Sequence, residues 1–338
     1  MITTRRLHFQ SLAKPRFDHA EHVIEWLGAV QSQDYPAAKW AVAQRTTRPD
    51  DAGLEHALAT GTILRTHVLR PTWHFVPAKD LRWMLALTAQ RIRASLVSQA
   101  RFCRLDAATV TRAKHLIVKA LSGGRQMTRE ELGPVIAHRT MALGHIIMQA
   151  EVDGLICSGA LKGKQHTYAL LDERVPDART IDRDEALALL AWRYFRSHGP
   201  ATLKDFAWWS GLATIDAKLG IANARGLISE TIGGTTYWLS DKAVGSVQTG
   251  RLYLLPNFDE FLVAYADRTA SYDGADKNLA LANTVVLDGR VVGTWKRVFE
   301  GEAVRVHVKL FDRAPKAMLR AEVERFGTFL GRAASFHV

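Results

Sequence analysis

One order of helix-like and strand-like segments occurs three times along this chain, and it restricts the possible folds more than any other feature. Apolar residues at helical spacing predict three helices within residues 18–59, and two β-branched stretches follow at 62–68 and 72–76. The same order returns within 106–170, where the capping box Thr128-Arg129-Glu130-Glu131 opens the second helix and the third helix is expected to run from about Leu143 to Cys157. It returns again within 184–239, with helices at about 185–197, 203–209 and 215–224 and hairpin strands at 227–232 and 235–239. Three short helices followed by a hairpin is the order of a winged helix-turn-helix unit. The chain is therefore predicted to contain three such units.

The pattern changes after the third unit, where strand-like runs separated by the turn Asp288-Gly289 predict a β-rich segment that ends in a helix. The expected fold class is mostly α with β wings, an α+β fold. The predicted segments are winged helix 1 at 1–78, a linking helix at 79–105, winged helix 2 at 106–176, winged helix 3 at 177–248, and a C-terminal β-rich scaffold with a terminal helix at 249–338.

The charge balance favours a polyanionic partner. The 338 residues carry a formal net charge of +11, which attracts nucleic acids or anionic surfaces. Two cysteines, Cys103 and Cys157, exclude a disulfide framework and suit a reducing compartment. No apolar signal region follows Met1, and no apolar run is long enough to cross a bilayer. We therefore expect a cytoplasmic, nucleoid-associated protein that binds nucleic acid rather than a membrane.

A pair of glutamines, Gln31 and Gln33, stands where the first long helix is predicted to end. Asp18 is a candidate cap for this helix, which would run to about Gln33, and Pro36 interrupts the pattern. Residues two apart cannot face the same way on one helix, so the two amides converge only if the helix ends between them. The alternative interpretation is two exposed helix-end glutamines without a chemical role.

Four groups of motifs, in order along nearly the whole chain, resemble the AlkZ/YcaQ-type winged-helix DNA glycosylase family. Gln31-Ser32-Gln33-Asp34 resembles the signature of its Gln-x-Gln subgroup, where the YcaQ proteins carry Gln-x-Asp. The similar stretches are Leu27–Arg45; Leu69–Val76 with Lys79–Trp83; Gly144–Ile146, Asp153–Gly159 and His166–Pro176; and Leu255–Glu260 with Asp288–Trp295.

The resemblance implies tandem winged helices in a C-shaped body that excises alkylated purines, including cross-linked ones. It implies that Gln31 and Gln33 are catalytic. A purine alkylated at N7 is already cationic and leaves without a general acid, so a positioned water and partial negative charge near the sugar suffice. An amide offers both an acceptor and donors for this role. No lysine stands in Gln31-Ser32-Gln33, so no Schiff base and no lyase step are expected.

Three neighbouring positions are candidates to line the site. Asp34 either adds negative charge or caps the next helix, and capping is favoured. Thr72 and His74 share one face of a predicted strand, while Trp73 takes the other face and is predicted to be core. His74 could equally be a packed histidine bonded to backbone. His67 and His74 have no second close Cys or His pair, so no metal site is predicted.

Basic and polar residues on the predicted wings are candidates for DNA contact, and the Lys162-Gly163-Lys164-Gln165 tip is expected to meet phosphates. Ser122-Gly123-Gly124-Arg125 lacks the residues of a phosphate cradle, so no cofactor is expected. The predicted DNA-binding residues are Lys39, Arg65, Arg70, Lys162, Lys164, Gln165 and His166.

Two other functions would suit the same scaffold. A non-catalytic winged-helix regulator would share the fold and the charge, but it would prefer one DNA sequence and has no need of Gln31 and Gln33. An RNA-modifying protein is disfavoured because no aromatic RNA-binding signature is present. The expected protein is thus a monomeric, monofunctional DNA glycosylase acting on double-stranded DNA with alkylated purines.

Overall fold

The computed structural model describes residues 2–177, 179–241, 250–272, 274 and 277–338. It combines many short helices with four small sheets. The predicted class, α+β with a β-rich C-terminal segment, is confirmed. The division into five segments stays a prediction, and its boundary at 248–249 lies outside the described residues.

The N-terminal unit holds a small sheet of strand order β1-β3-β2. The helix predicted to reach Gln33 ends much earlier, at Leu27, because Gly28 takes a φ of 83° and turns the chain. Gln31 consequently lies on a strand, paired with His74. The elements are α1 Ile2–Phe9, α2 Ala20–Leu27, β1 Val30–Gln31, α3 Tyr35–Ala43, α4 Asp51–Thr60, β2 Ile63–His67 and β3 Trp73–Pro77.

The second unit follows a long helix, as predicted, and has a sheet of order β4-β6-β5. Thr128 and Glu131 form the predicted capping box at the start of α7. The helix expected to reach Cys157 ends at Val152, and Cys157 lies on a strand instead, since Gly154 turns the chain with a φ of 69°. The elements are α5 Leu81–Phe102, α6 Ala107–Leu121, β4 Met127–Thr128, α7 Arg129–Ile136, α8 Thr140–Val152, β5 Ile156–Ser158, β6 Thr167–Leu170 and α9 Leu171–Arg174.

The third unit matches the predicted helices and hairpin to within two residues. A second capping box, Thr202 with Asp205, starts its middle helix. Its elements are α10 Arg183–His198, α11 Leu203–Ser210, α12 Thr214–Asn223, β7 Ile228–Ile232 and β8 Thr235–Leu239.

The C-terminal part is a five-stranded sheet of order β13-β12-β11-β10-β9 covered by a helix. All neighbouring strands are antiparallel except β12 and β13. The short helix α13, the strand β13 and the N-terminal helix α1 were not predicted. The elements are β9 Leu252–Leu255, α13 Glu260–Val263, β10 Thr284–Leu287, β11 Arg290–Glu300, β12 Ala303–Leu310, α14 Lys316–Leu330 and β13 Ala333–His337.

The N-terminal unit is fixed to the C-terminal sheet by buried side chains of α3. Trp40 packs 5.1 Å from Phe326 between ring centroids, and its indole N–H donates to the carbonyl of Leu254 at 2.8 Å. Arg45, just after α3, makes a two-pronged ion pair with Asp259 at 2.8 and 2.9 Å, and both side chains are at most 1% exposed. These contacts connect segments more than 200 residues apart in the chain.

The first and second units are also joined directly. The backbone N–H of Arg65 donates to Ser158 Oγ at 2.8 Å, and His67 Nδ1 lies 2.6 Å from Glu151 Oε2 in a buried pair. Both contacts run between the first hairpin and the second unit. The described residues include no helix with the length and apolar character that a membrane span requires.

The Arg45–Asp259 pair generates a stability prediction. Asp259→Ala leaves a buried guanidinium without its anion, which should lower the free energy of unfolding by about 3–5 kcal/mol. Arg179→Ala, which removes an ion pair with Glu185 whose side chains are both 56% exposed, is the control and should cost at most about 1 kcal/mol. Urea unfolding of the three proteins measures both values. Equal losses for the two variants would contradict the importance of the buried pair.

Candidate active site

Gln31 lies on the short strand β1, and Gln33 lies in the bend that leads into α3, so neither residue is on a helix. Gln31 pairs with His74 in the sheet, and the N–H of Ser32 continues the ladder by donating to the carbonyl of Trp73 at 2.7 Å. Ser32, between the two glutamines, is buried. Gln31 is 6% exposed, and Gln33 is exposed. The expectation that the helix ends between them is wrong, because α2 ends before both glutamines and the chain forms a strand at Gln31 and a bend at Gln33.

The side chain of Gln31 is held by an arginine. Arg70 Nη2 donates to Gln31 Oε1 at 3.0 Å. The guanidinium of Arg70 also lies 5.5 Å from the ring centroid of Trp208, which is 45% exposed. Burial lowers the pKa of Arg70, and the nearby Glu260 carboxylate opposes that shift. The predicted contact of Arg70 with DNA is not tested, and in the structure its guanidinium binds the glutamine.

The backbone of Gln31 is held by a buried carboxylate that the sequence analysis did not single out. Glu260 is 0% exposed and accepts the N–H of Gln31 at 2.7 Å and the indole N–H of Trp209 at 3.0 Å. His198 Nε2 lies 3.5 Å from the same carboxylate. Burial opposes ionisation of Glu260, but His198 and the N–H of Gln31 outweigh it and lower its pKa. An ionised carboxylate therefore lies directly behind residues Gln31–Gln33, called the glutamine segment below.

Asp34 caps the helix that follows the pair, as favoured above. Its Oδ1 accepts the N–H of Ala37 at 3.1 Å, and its Oδ2 accepts from Asn257 Nδ2 at 3.2 Å. Asn257, Asp259 and Glu260 thus all support the glutamine segment or the helix after it. The signal available in the sequence was two adjacent acids inside an apolar stretch, which requires buried partners.

Of the two predicted site-lining residues on this hairpin, His74 is buried and Thr72 is half-buried. His74 is 0% exposed, and its Nδ1 lies 2.9 Å from the carbonyl of Thr72. Burial, with the charge of Arg70, lowers the pKa of His74 to about 3, so its ring is neutral. His74 Nε2 and Thr72 Oγ1 are buried and have no hydrogen-bond partner among the described residues. His74 therefore matches the packed-histidine alternative in its bonding and supports Gln31 from the next strand.

The prediction that Trp73 is core is wrong. Trp73 is half-buried, with the guanidinium of Arg65 4.4 Å and the ring of His67 4.4 Å from its ring centroid. Arg65 is 9% exposed and donates to the carbonyl of Ser32 at 3.0 and 3.1 Å. Arg65 thus stabilises the backbone at Ser32, whereas Arg70 binds the side chain of Gln31. Its predicted role in DNA contact is not tested, but its hydrogen bonds already serve the fold.

Four of the predicted DNA-binding residues line one cleft of about 400 Å³ between the first hairpin and the second wing: Arg65, Lys164, Gln165 and His166. Gln165 Nε2 donates to Glu130 at 3.1 Å, and Lys162 pairs with Glu131. His166 packs edge-on against Tyr35 at 4.7 Å, and burial lowers its pKa to about 4, so it carries no charge at neutral pH.

Lys39 is already neutralised within the fold. Its Nζ lies 2.6 Å from Glu55 and 2.7 Å from Asp51. The exposed Lys164 is therefore the best placed of the predicted residues to meet a phosphate.

Comparison with known proteins supports one family. A family model described as DNA glycosylase AlkZ-like matches residues 24–329. The chain is 24% identical over 326 residues to an interstrand DNA cross-link repair glycosylase from Streptomyces sahachiroi, covering 87% of this chain and 86% of that protein. It also superimposes on the solved structure of Streptomyces sahachiroi DNA glycosylase AlkZ with a TM-score of 0.80 and 20% identity, covering 99% and 98% of the two chains.

The buried, neutral His74 generates a pH prediction. An unfolded histidine titrates near pH 6.5, whereas His74 in the fold titrates near 3, so the unfolded chain binds the extra proton in between. The folded state is therefore not penalised by His74 above pH 6.5, and the free energy of unfolding falls as the pH drops from 6.5 toward 3. From about pH 6 to about pH 4, unfolding free energy should fall by about 2 kcal/mol more in the wild type than in His74→Asn.

Urea unfolding at both pH values tests this expectation. The control is His22→Asn, because His22 is exposed on α2. Identical pH dependence in the wild type and in His74→Asn would show that His74 does not stay neutral in the fold.

Proposed function

This chain belongs to the AlkZ-like DNA glycosylase family, and we propose that it hydrolyses the N-glycosidic bond of N7-alkylated purines in double-stranded DNA. That it is a DNA glycosylase acting in repair follows from the family. The proposed substrate and mechanism rest on one observation, that buried groups fix Gln31 in place. A carboxylate binds its backbone and an arginine binds its side chain, as a positioned amide in an active site requires.

The chemistry proposed needs no general acid. Alkylation at N7 makes the purine cationic, so the C1′–N9 bond breaks with its electron pair passing to the base, which leaves neutral. A water oxygen forms the new bond to C1′, and its proton passes to solvent. The product is an abasic site, and no covalent enzyme intermediate forms. A carboxamide cannot serve as a full base near neutral pH, which restricts the reaction to labile, cationic lesions.

Together the two glutamines then position the attacking water and stabilise the oxocarbenium-like sugar. Gln33 is exposed, so it can reach a nucleotide that stays close to the duplex. The relative from Streptomyces sahachiroi is named for cross-link repair. By analogy, we propose that bulky or cross-linked N7-adducts are substrates too, since a site at the surface does not require the whole adduct to enter a closed pocket.

We further propose that the second wing places the enzyme on DNA through its phosphates, with Lys164 as the leading contact and Lys162, Gln165 and His166 beside it. The protein is proposed to act as a monomer without a cofactor. A non-catalytic regulator is the weaker alternative, because the family is enzymatic and because the clamped Gln31 has no purpose in sequence-specific binding.

The catalytic assignment is tested by base release. Gln31→Ala/Gln33→Ala should slow release of N7-methylguanine from duplex DNA by at least about 100-fold, as expected when groups that stabilise the transition state are removed. DNA affinity should stay close to that of the wild type. The control is Gln90→Ala, which removes an exposed amide from α5. Undiminished release by the double variant would refute the assignment, and no release by the wild type would refute the proposed substrate.

The DNA-contact proposal is tested by salt dependence. Lys164→Ala should weaken binding to any duplex sequence alike and reduce the slope of log K against log salt by about one unit. The matched control is Lys316→Ala, an exposed lysine at the start of α14. Fluorescence anisotropy at several salt concentrations measures both slopes. An unchanged slope for Lys164→Ala would place the phosphate contacts elsewhere.

A further inference from the structure

We propose that Arg70 is a positioning residue that makes Gln31 a hydrogen-bond donor in the active site and leaves the acceptor role to Gln33. This inference rests on the proposed function, since it divides the work of the two glutamines. Arg70 reaches Gln31 from the tight turn between β2 and β3, and its Nη2 lies 3.0 Å from Gln31 Oε1.

The orientation of the Gln31 amide follows from chemistry. A guanidinium has only donors, so the atom of Gln31 that faces Arg70 must be the carbonyl oxygen. The amide is planar, and its NH₂ group therefore points away from Arg70. Gln31 Nε2 donates to no residue within the described part of the chain, and the protein does not fully enclose it. The atom of Gln31 left for a substrate is thus a donor.

The arginine itself is rigidly placed. The backbone N–H of Arg70 donates to the carbonyl of Val68 at 2.7 Å, and the backbone carbonyl of Arg70 accepts the N–H of Thr72 at 2.7 Å. The backbone is thus fixed on both sides of Arg70. Leu69 has a φ of 64°, and a Cβ on Gly211 would lie 2.1 Å from the Leu69 carbonyl, so α11 presses directly on this turn. The turn from which the guanidinium of Arg70 reaches Gln31 is therefore fixed.

The backbone of Gln31 is held as firmly as its side chain. Glu260 accepts the N–H of Gln31 at 2.7 Å from a fully buried position. The negative charge of Glu260 also acts on Arg70 and opposes the lowering of the Arg70 pKa by burial. The carboxylate and the guanidinium that hold Gln31 thus stabilise each other's charge. Gln31 is clamped at both ends, and only its NH₂ group remains to bind an oxygen of the damaged nucleotide.

Gln33 is the complementary member of the pair. It is exposed, and its amide can turn its carbonyl oxygen toward the attacking water and the developing positive charge on the sugar. A donor beside that charge would raise the barrier, whereas a donor on an oxygen of the nucleotide positions it. The pair thus divides into a fixed donor at 31 and a mobile acceptor at 33.

Two glutamate variants of equal charge and nearly equal shape test this division. Gln31→Glu keeps the acceptor for Arg70 but has no N–H, so single-turnover release of N7-methylguanine should fall at least about 100-fold. Gln33→Glu keeps an acceptor, and its loss should be at least tenfold smaller, on the order of tenfold or less. Gln90→Glu on α5 controls for the added negative charge, and DNA affinity and melting temperature are measured for each protein.

A double-mutant comparison tests the role of Arg70. Arg70→Met should slow base release about tenfold without changing DNA affinity, and Arg70→Lys should recover part of the loss. Adding Arg70→Met to Gln31→Ala should cost nothing further, because Arg70 acts through the Gln31 amide. An independent structural role would instead give losses that multiply.

The outcomes separate the two hypotheses. Two results would overturn the donor assignment in an enzyme whose wild type releases the base: full activity of Gln31→Glu, or a greater loss in Gln33→Glu than in Gln31→Glu. Either result leaves the glycosylase proposal standing. Multiplying losses for Arg70→Met and Gln31→Ala overturn the positioning role. No release by the wild type overturns the proposed function and this inference together. If Arg70→Met fails to fold, the two glutamate variants decide the proposal.

Discussion

The structure depends on two adjacent buried carboxylates, Asp259 and Glu260. A carboxylate that is removed from water must be paired or hydrogen-bonded, or its burial costs several kcal/mol. Asp259 meets this requirement with the guanidinium of Arg45, and Glu260 meets it with the N–H groups of Gln31 and Trp209. The two acids thereby bind the N-terminal unit, the third unit and the C-terminal sheet to one short segment. Because Glu260 needs hydrogen-bond donors, it also fixes the backbone of Gln31.

The site inherits its rigidity from this arrangement. Gln31 lies on a strand of only two residues, and a strand of that length is not stable without outside support. Support comes from His74 in the neighbouring strand, from Glu260, which binds the backbone N–H of Gln31, and from the hydrogen bonds of Arg65 and Arg70. A catalytic amide has no charge of its own to hold it in place, so its position has to be set by its neighbours. The polar groups around Gln31 do this with hydrogen bonds to its backbone and side chain.

The positive charge of the chain is distributed differently from what its total suggests. Several arginines are buried and pair with carboxylates or backbone carbonyls: Arg6, Arg45, Arg65 and Arg193 are all at most 9% exposed. The hydrogen bonds of these residues stabilise the fold. The phosphate contacts proposed above fall instead on exposed residues such as Lys164. Net charge therefore indicates the class of partner correctly, but it does not locate the contacts.

Much of the fold was predictable from local pattern. The capping box at Thr128, the long helix α5 and the third unit at α10–α12 match because apolar spacing and capping act over a few residues. The course of the chain at Gln31 was missed, since Gly28 ended the helix early and a distant carboxylate fixed the strand. The sequence by itself determined the repeated helical order, the basic charge and the presence of the glutamine pair. Only the tertiary structure decided that Arg70 and Glu260 clamp Gln31, because partners 39 and 229 residues away leave no periodic trace in the chain.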